Sequence, residues 1–244
     1  MNKRTLVLSA SALLATAGLA AAPTHAGAAP ATQTCFGRTV TIMGTPGDDT
    51  LIGQGGVSDV IYGAGGNDYI SGGDFYFGDA VPGNAPDYLC GSKGNDNVNG
   101  GPGDDHLNGG DGNDRVRGWS GSDVESGNDG NDTVGSGSFA DLDVRPDVMR
   151  GGNGVDQIIG DWGNDRLEGG PGPDSIFDQE CDSTTIHGDG GDDYIQSYQS
   201  SYAGEPCTDF GDQHGDLITG NAGDDTVDGS PADTIKTAEH VTRQ

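Results

Sequence analysis

Positive charge is scarce in this chain: 11 Lys and Arg stand against 39 Asp and Glu in 244 residues, a formal net charge of −28. Phosphate backbones and anionic lipid surfaces repel such a chain, which argues against nucleic acid or membrane surfaces as partners. Proline is limited to 11 residues, and glycine, although present 46 times, does not fall at every third position, so a collagen helix is excluded. Histidine (five) and cysteine (four) are sparse, and the repeats described below do not supply them at regular positions, which disfavours zinc or copper. Apolar runs are missing beyond residue 22, so no membrane span is expected, and no lipidation or C-terminal anchoring signal is present. Also missing are a G-x-S-x-G elbow, an H-E-x-x-H helix, a P-loop and a full EF-hand loop. The chain is therefore expected to be no enzyme. Paired acids of the glycoside-hydrolase kind are harder to dismiss in so acidic a chain, and the loop acids Asp79, Asp141, Asp143 and Asp209 are the ones left over once the regular aspartates are explained.

What is present begins at the N-terminus. Lys3 and Arg4 precede an apolar run over residues 6–22, followed by small residues that include Ala26, Gly27 and Ala28. This pattern predicts a secretory signal peptide over residues 1–28, cut after Ala26 or Ala28, and hence a soluble, secreted, extracellular mature protein. Its loss removes two basic residues and no acid, so the mature chain is more acidic still. High charge with 32% hydrophobic residues is also the composition of a disordered chain. Regularity argues against that.

Five nine-residue units follow one another in unbroken register: GSKGNDNVN from Gly91, GGPGDDHLN from Gly100, GGDGNDRVR from Gly109, GWSGSDVES from Gly118 and GNDGNDTVG from Gly127. A second block runs through GGNGVDQII, GDWGNDRLE and GGPGPDSIF from Gly151, Gly160 and Gly169, with further units from Gly44, Gly63, Gly188 and Gly220. Each unit offers one principal apolar residue, such as Val98, Leu107, Val116, Ile158, Leu167, Ile176 or Ile195. In the unit from Gly118 that place is taken by Glu125, which predicts imperfect packing or a small opening.

These units resemble the RTX calcium-binding nonapeptide G-G-x-G-x-D-x-U-x, in which U is a large apolar residue. The resemblance implies an all-β, right-handed parallel β-roll in which two nonapeptides make one coil and Ca2+ ions lie between the turns of successive coils. It implies side-chain ligands at the sixth position: Asp49, Asp59, Asp68, Asp87, Asp96, Asp105, Asp114, Asp123, Asp132, Asp147, Asp156, Asp165, Asp174, Asp193, Asp216 and Asp225. Backbone carbonyls of Gly91, Gly94, Gly100, Gly103, Gly109, Gly112, Gly151, Gly154, Gly160, Gly163, Gly169 and Gly172 are expected to complete the shells. Near Asp233 the motif decays and no site is expected.

Elementary electrostatics agrees. If alternate units stack at parallel-strand spacing, Asp96, Asp114 and Asp132 form one column and Asp87, Asp105 and Asp123 another, with neighbouring carboxylates about 4.8 Å apart. Two such charges repel by roughly 3 kcal/mol at an effective dielectric constant of 20. Several Ca2+ ions suit the ladder because calcium takes six to eight oxygen donors in tolerant geometry. One apolar residue per nine does not offset the entropy of ordering the unit, so metal binding is expected to supply folding free energy.

Register is lost over residues 74–86, 136–146, 178–185 and 197–214, which read as loops inserted between coils, and one extra residue separates Asp49 from Asp59. The insertions carry Phe75, Tyr76, Phe77, Tyr198, Tyr202 and Phe210, side chains suited to stacking on a sugar or to covering the roll's ends. An extracellular glycan or protein is thus the candidate partner beside calcium. A flat ice-binding rank is disfavoured, because the third repeat position holds Pro46, Lys93, Pro102, Asp111, Ser120 and Trp162 rather than threonine. The expected layout is an N-terminal cap over 29–43, the roll over 44–235 and a tail over 236–244. Four cysteines in an exported chain allow two disulfides with three pairings, or free thiols; Cys35 with Cys90 and Cys181 with Cys207 is the favoured set.

Overall fold

The computed structural model describes residues 4–6, 33–73, 85–135, 145–160, 162–178, 183–197, 216–229, 233–238 and 240–243. These residues form strands and turns without a helix. Two long parallel sheets face each other, with a short antiparallel hairpin at the N-terminal end. Successive units fall alternately into the two sheets. In one lie β5 (Asp49–Ile52), β7 (Tyr69–Ser71), β9 (Asn97–Pro102), β11 (Arg115–Ser120), β13 (Thr133–Gly135), β15 (Gln157–Ile159), β17 (Ser175–Asp178), β19 (Tyr194–Ser197) and β21 (Thr226–Gly229). In the other lie β4 (Ile42–Met43), β6 (Val60–Tyr62), β8 (Tyr88–Lys93), β10 (His106–Asp111), β12 (Val124–Asp129), β14 (Val148–Asn153), β16 (Arg166–Pro171), β18 (Thr185–Gly190), β20 (Leu217–Ala222) and β22 (Thr234–Lys236). The chain is a parallel β-roll.

The two-unit coil sets the pairing. Tyr88 lies beside His106 and His106 beside Val124, while Asn97 lies beside Arg115, each step being two nonapeptides. Because side chains alternate along a strand, the eighth residue of every unit points inward. Leu51, Ile70, Val98, Val116, Val134, Ile158, Ile176, Ile195 and Val227 form one inner row, and Ile42, Ile61, Leu89, Leu107, Met149, Leu167, Ile186 and Ile218 the other. The two rows make one continuous core.

The insertions leave this register intact. Val124 pairs with Val148 across the second one, and Tyr69 pairs with Asn97 across the first. The third insertion is shorter than expected: Asp178 closes β17 and Thr185 opens β18, so both belong to the roll. Ser197, expected to open the fourth insertion, likewise closes β19. The extra residue before Asp59 is taken up in a turn where Val57 N–H donates to the Gln54 carbonyl at 3.2 Å and Gly56 has a φ of +74°. Ile42 of β4 joins the core, and β23 (His240–Arg243) pairs with β21.

At the N-terminal end β2 (Thr34–Cys35) and β3 (Arg38–Thr39) form the hairpin, pinned to β8 by the disulfide between Cys35 and Cys90. Arg38 lies over the Tyr88 ring at 3.8 Å, and Tyr88 stacks on His106 with centroids 4.9 Å apart. His106 is therefore half-buried in an aromatic cluster, which lowers its pKa by desolvation, rather than lying free on the surface. A strand β1 (Arg4–Leu6) pairs with β5 at the sheet edge. The rest of the proposed signal segment up to residue 28, the six insertion aromatics, the loop acids Asp79, Asp141, Asp143 and Asp209, and Cys181 with Cys207 lie outside the described residues. No helix among the described residues is long and apolar enough to cross a membrane.

Candidate metal centre

Every sixth-position aspartate expected from the sequence lies in one of two ladders running along the edges of the roll. The first runs Asp49, Asp68, Asp96, Asp114, Asp132, Asp156, Asp174, Asp193, Asp225. The second runs Asp59, Asp87, Asp105, Asp123, Asp147, Asp165, Thr184, Asp216, Asp233. Each backbone N–H donates to the side-chain oxygen of the next residue in its ladder. Asp96 N–H reaches Asp114 Oδ1 at 2.7 Å, and Asp114 N–H reaches Asp132 Oδ1 at 2.8 Å. Thr184 takes the place of an aspartate, its hydroxyl accepting from Asp165 N–H at 3.3 Å. Asp233, where no site was expected, continues the ladder as the acceptor for Asp216 N–H at 3.1 Å.

The ladder uses one carboxylate oxygen per residue and turns the other inward. The Oδ2 atoms of Asp68, Asp96, Asp105, Asp114, Asp123, Asp132, Asp156, Asp174, Asp193 and Asp225 are buried and have no hydrogen-bond partner. A buried carboxylate oxygen without a donor is costly. At three other rungs the protein itself satisfies the matching oxygen. Asp49 Oδ2 accepts from the Thr45 backbone at 2.6 Å and hydroxyl at 2.9 Å, Asp59 Oδ2 accepts from Gln54 N–H at 2.5 Å, and Asp216 Oδ2 accepts from the Ser197 hydroxyl. The demand for a cation therefore lies at the rungs whose Oδ2 has no donor, from Asp68 to Asp225 in the first ladder and at Asp105 and Asp123 in the second.

Glycine shapes the space beside each inward oxygen. An ideal Cβ on Gly91 would overlap Asp96 Oδ2 and the Gly109 carbonyl oxygen, and one on Gly151 would overlap Asp156 Oδ2 and the Gly169 carbonyl oxygen. The same cradle recurs at Gly63, formed by Asp68 and the Gly91 carbonyl, and at Gly72, formed by Asp87 and the Gly100 carbonyl. The expected carbonyl donors thus separate into two sets. Those of Gly91, Gly100, Gly109 and Gly169 lie beside an aspartate Oδ2, whereas those of Gly94, Gly103, Gly112, Gly154 and Gly172 face the fourth-position glycine of the next coil. Gly151 forms a cradle of its own with Asp156, Gly160 lies against Leu167 and Asp178 with Asp165 Oδ2 farther off, and Gly163, with a φ of +144°, is a fourth-position turn glycine. At those turns φ is left-handed, as at Gly112 (+140°) and Gly130 (+147°), which requires glycine.

Among the described residues no three carboxylate, imidazole or thiol groups converge on one point. The cradles at Gly63, Gly72, Gly91 and Gly151 instead join a carboxylate oxygen to a backbone carbonyl, an all-oxygen donor set of the kind that hard cations take and that zinc and copper disfavour. Burial raises the carboxyl pKa values most strongly, partly opposed by the ladder hydrogen bonds: to about 8 for Asp123, about 7 for Asp105, Asp132 and Asp174, and about 6 for Asp68, Asp96, Asp114 and Asp193. Neighbouring aspartates raise several of them further, as Asp114 and Asp156 do for Asp132. The folded chain thus holds a row of charges that need either protons or cations.

A further column went unread in the sequence. Fifth-position residues form an outer ladder in which Asn113 N–H donates to Asn95 Oδ1 at 2.8 Å and Asn131 N–H donates to Asn113 Oδ1 at 2.9 Å. Its signal was available as the Asn or Asp that precedes many of the sixth-position aspartates, at Asn67, Asn95, Asp104, Asn113, Asn131, Asn164, Asp192 and Asp224.

A family model for the RTX calcium-binding nonapeptide repeat matches residues 41–57, 58–76, 91–125, 145–176, 183–198 and 210–233, more than half of the chain. Searches of curated proteins and of solved structures find no match.

Proposed function

Since the chain belongs to the RTX calcium-binding nonapeptide repeat family, whose repeats bind several Ca2+ ions, we propose that it is an extracellular calcium-binding protein whose roll folds as the ions bind. It serves as a structural or interaction module, with a glycan or protein of the cell surroundings as its partner class, and has no catalytic activity of its own. The observation that carries this reading is the row of buried, unpartnered Oδ2 atoms along the ladders. Calcium supplies the positive charge that lets these carboxylates remain ionised inside the fold. The residues that hold it are these ladder aspartates together with the first-position glycine carbonyls that face them.

Export follows from the N-terminal segment. Residues 1–28 act as the signal peptide, residues 29–43 as the cap that the Cys35–Cys90 disulfide fastens, and residues 236–244 as the tail that closes the far end. Circular dichroism of the purified mature chain during a Ca2+ titration tests the reading. The spectrum converts from disordered to β as calcium is added and reverts with chelator. A chain fully folded in excess chelator at neutral pH would overturn it.

A further inference from the structure

Glu125 occupies a core position. Its strand neighbours in register are Leu107 on one side and Met149 on the other, both fully buried, and Glu125 itself is 0% exposed. A carboxylate in a row of aliphatic side chains is retained at a cost unless something compensates its charge.

The side chain reaches back toward the turn of its own unit. Its Oε1 accepts a hydrogen bond from Gly118 N–H at 2.6 Å. An ideal Cβ on Gly118 would overlap both Glu125 Oε1 and Asp123 Oδ2, so the two carboxylate oxygens share one cradle. In the cradle of the preceding coil, Gly100, the oxygen beside Asp105 Oδ2 is the uncharged Gly118 carbonyl. Asp123 is 1% exposed, and its Oδ2 has no hydrogen-bond partner and points into the shared space. Arg117 interacts electrostatically with Glu125 and offsets part of its charge, but Asp123 Oδ2 has no donor, and a cation in the shared space would let both carboxylates stay ionised.

We propose that Glu125 is a metal ligand: with Asp123 it forms a two-carboxylate calcium site at Gly118, which binds Ca2+ more tightly than the rungs built from one carboxylate and a carbonyl. Affinity of oxygen-donor sites rises with the number of charged ligands. The inference rests on the calcium-binding reading of the ladders but adds a residue at a position that the repeat reserves for an apolar side chain.

Calcium titration calorimetry on the mature chain, with Glu125→Gln and Glu125→Leu, tests it. Gln keeps the acceptor for Gly118 N–H and removes the charge. The expected result is loss of one ion, or about a tenfold or greater weakening of the tightest class of sites, in both variants, while the Leu variant melts at a higher temperature than wild type in chelator. A Gln variant whose calcium isotherm matches wild type overturns the proposal and makes Glu125 a protonated core residue. A wild-type chain that takes up no calcium overturns the functional reading itself, a separate outcome.

Discussion

Asn131 Oδ1 accepts the backbone N–H of Val155 at 2.9 Å, and there the outer ladder of side-chain acceptors is interrupted, resuming where Asp192 Oδ1 accepts from Asp224 N–H at 3.0 Å. The next residue in that column is Pro173, which has no N–H to offer. The same holds elsewhere: Ser58 precedes Pro86 and Ser122 precedes Pro146 in their columns, whereas Asp104, whose follower Ser122 has an N–H, accepts from it at 3.0 Å. Where an Asn or Asp stands at the fifth position, the next coil presents an N–H to it. Asn113→Val should therefore lower the melting temperature of the calcium-loaded protein, by about 0.5–1.5 kcal/mol of stability. Val155→Asn should leave it unchanged, because its new acceptor would face Pro173. A Val155→Asn gain as large as the Asn113→Val loss would refute this account.

Much of the fold was legible because the period is short. A nonapeptide with one inward apolar residue leaves little freedom of register, so Val98, Leu107, Val116 and Ile158 were recognisable as core from the period alone. The placement of the sixteen aspartates in two columns was legible for the same reason. The division of labour within each carboxylate was not, since it arises from how far one coil's turn reaches over the next, and sequence periodicity carries no such distance. Thr184 and Asp233 were missed because each stands in a unit whose glycines have drifted, while the ladder needs only an oxygen at the right height. Glu125 was seen as an exception, but the direction in which its carboxylate turns depends on Gly118 seven residues earlier.

The split between Oδ1 and Oδ2 separates two substitutions at one ladder position. Asp114→Asn retains an acceptor for Asp96 N–H and loses the charge, so in chelator it should melt no lower than wild type while its calcium titration weakens. Asp114→Ala also strands a buried N–H, at a cost of about 1–3 kcal/mol, and should be destabilised with or without calcium. Thermal melts of both variants in chelator and in excess Ca2+ give the comparison. Equal behaviour of the Asn and Ala variants in chelator would show that Oδ1 contributes nothing.

The disulfide acts on a different part of the balance. Cys35 and Cys90 are 55 residues apart in sequence, so their bond restricts the unfolded chain across the first coils. Loop-closure entropy puts that at roughly 4 kcal/mol. The paired substitution Cys35→Ser with Cys90→Ser should raise the calcium concentration at which the β spectrum appears, because binding must then offset a larger folding cost. An unchanged folding midpoint would mean that the N-terminal hairpin folds apart from the calcium-bound coils.

Acidity should stabilise the metal-free roll. For Asp123, Asp105, Asp132 and Asp174 the folded pKa lies at about 7 to 8, above the unfolded value of about 4, with burial as the largest cause. The folded chain therefore binds more protons than the unfolded one between those values. This stabilising contribution is complete below about pH 4 and declines as pH rises from there until it is lost above the folded values of about 7 to 8. In chelator, the melting temperature should fall across that window, and calcium affinity should rise across the same window as protons leave the ladder. General repulsion in so acidic a chain would give the same direction, and Asp123→Asn separates the two causes. If the ladder is responsible, removing its most strongly shifted carboxyl flattens the upper end of the profile between pH 7 and 8. If net charge is responsible, one charge among so many leaves the shape of the profile as it was, and the ladder account of the pH dependence fails.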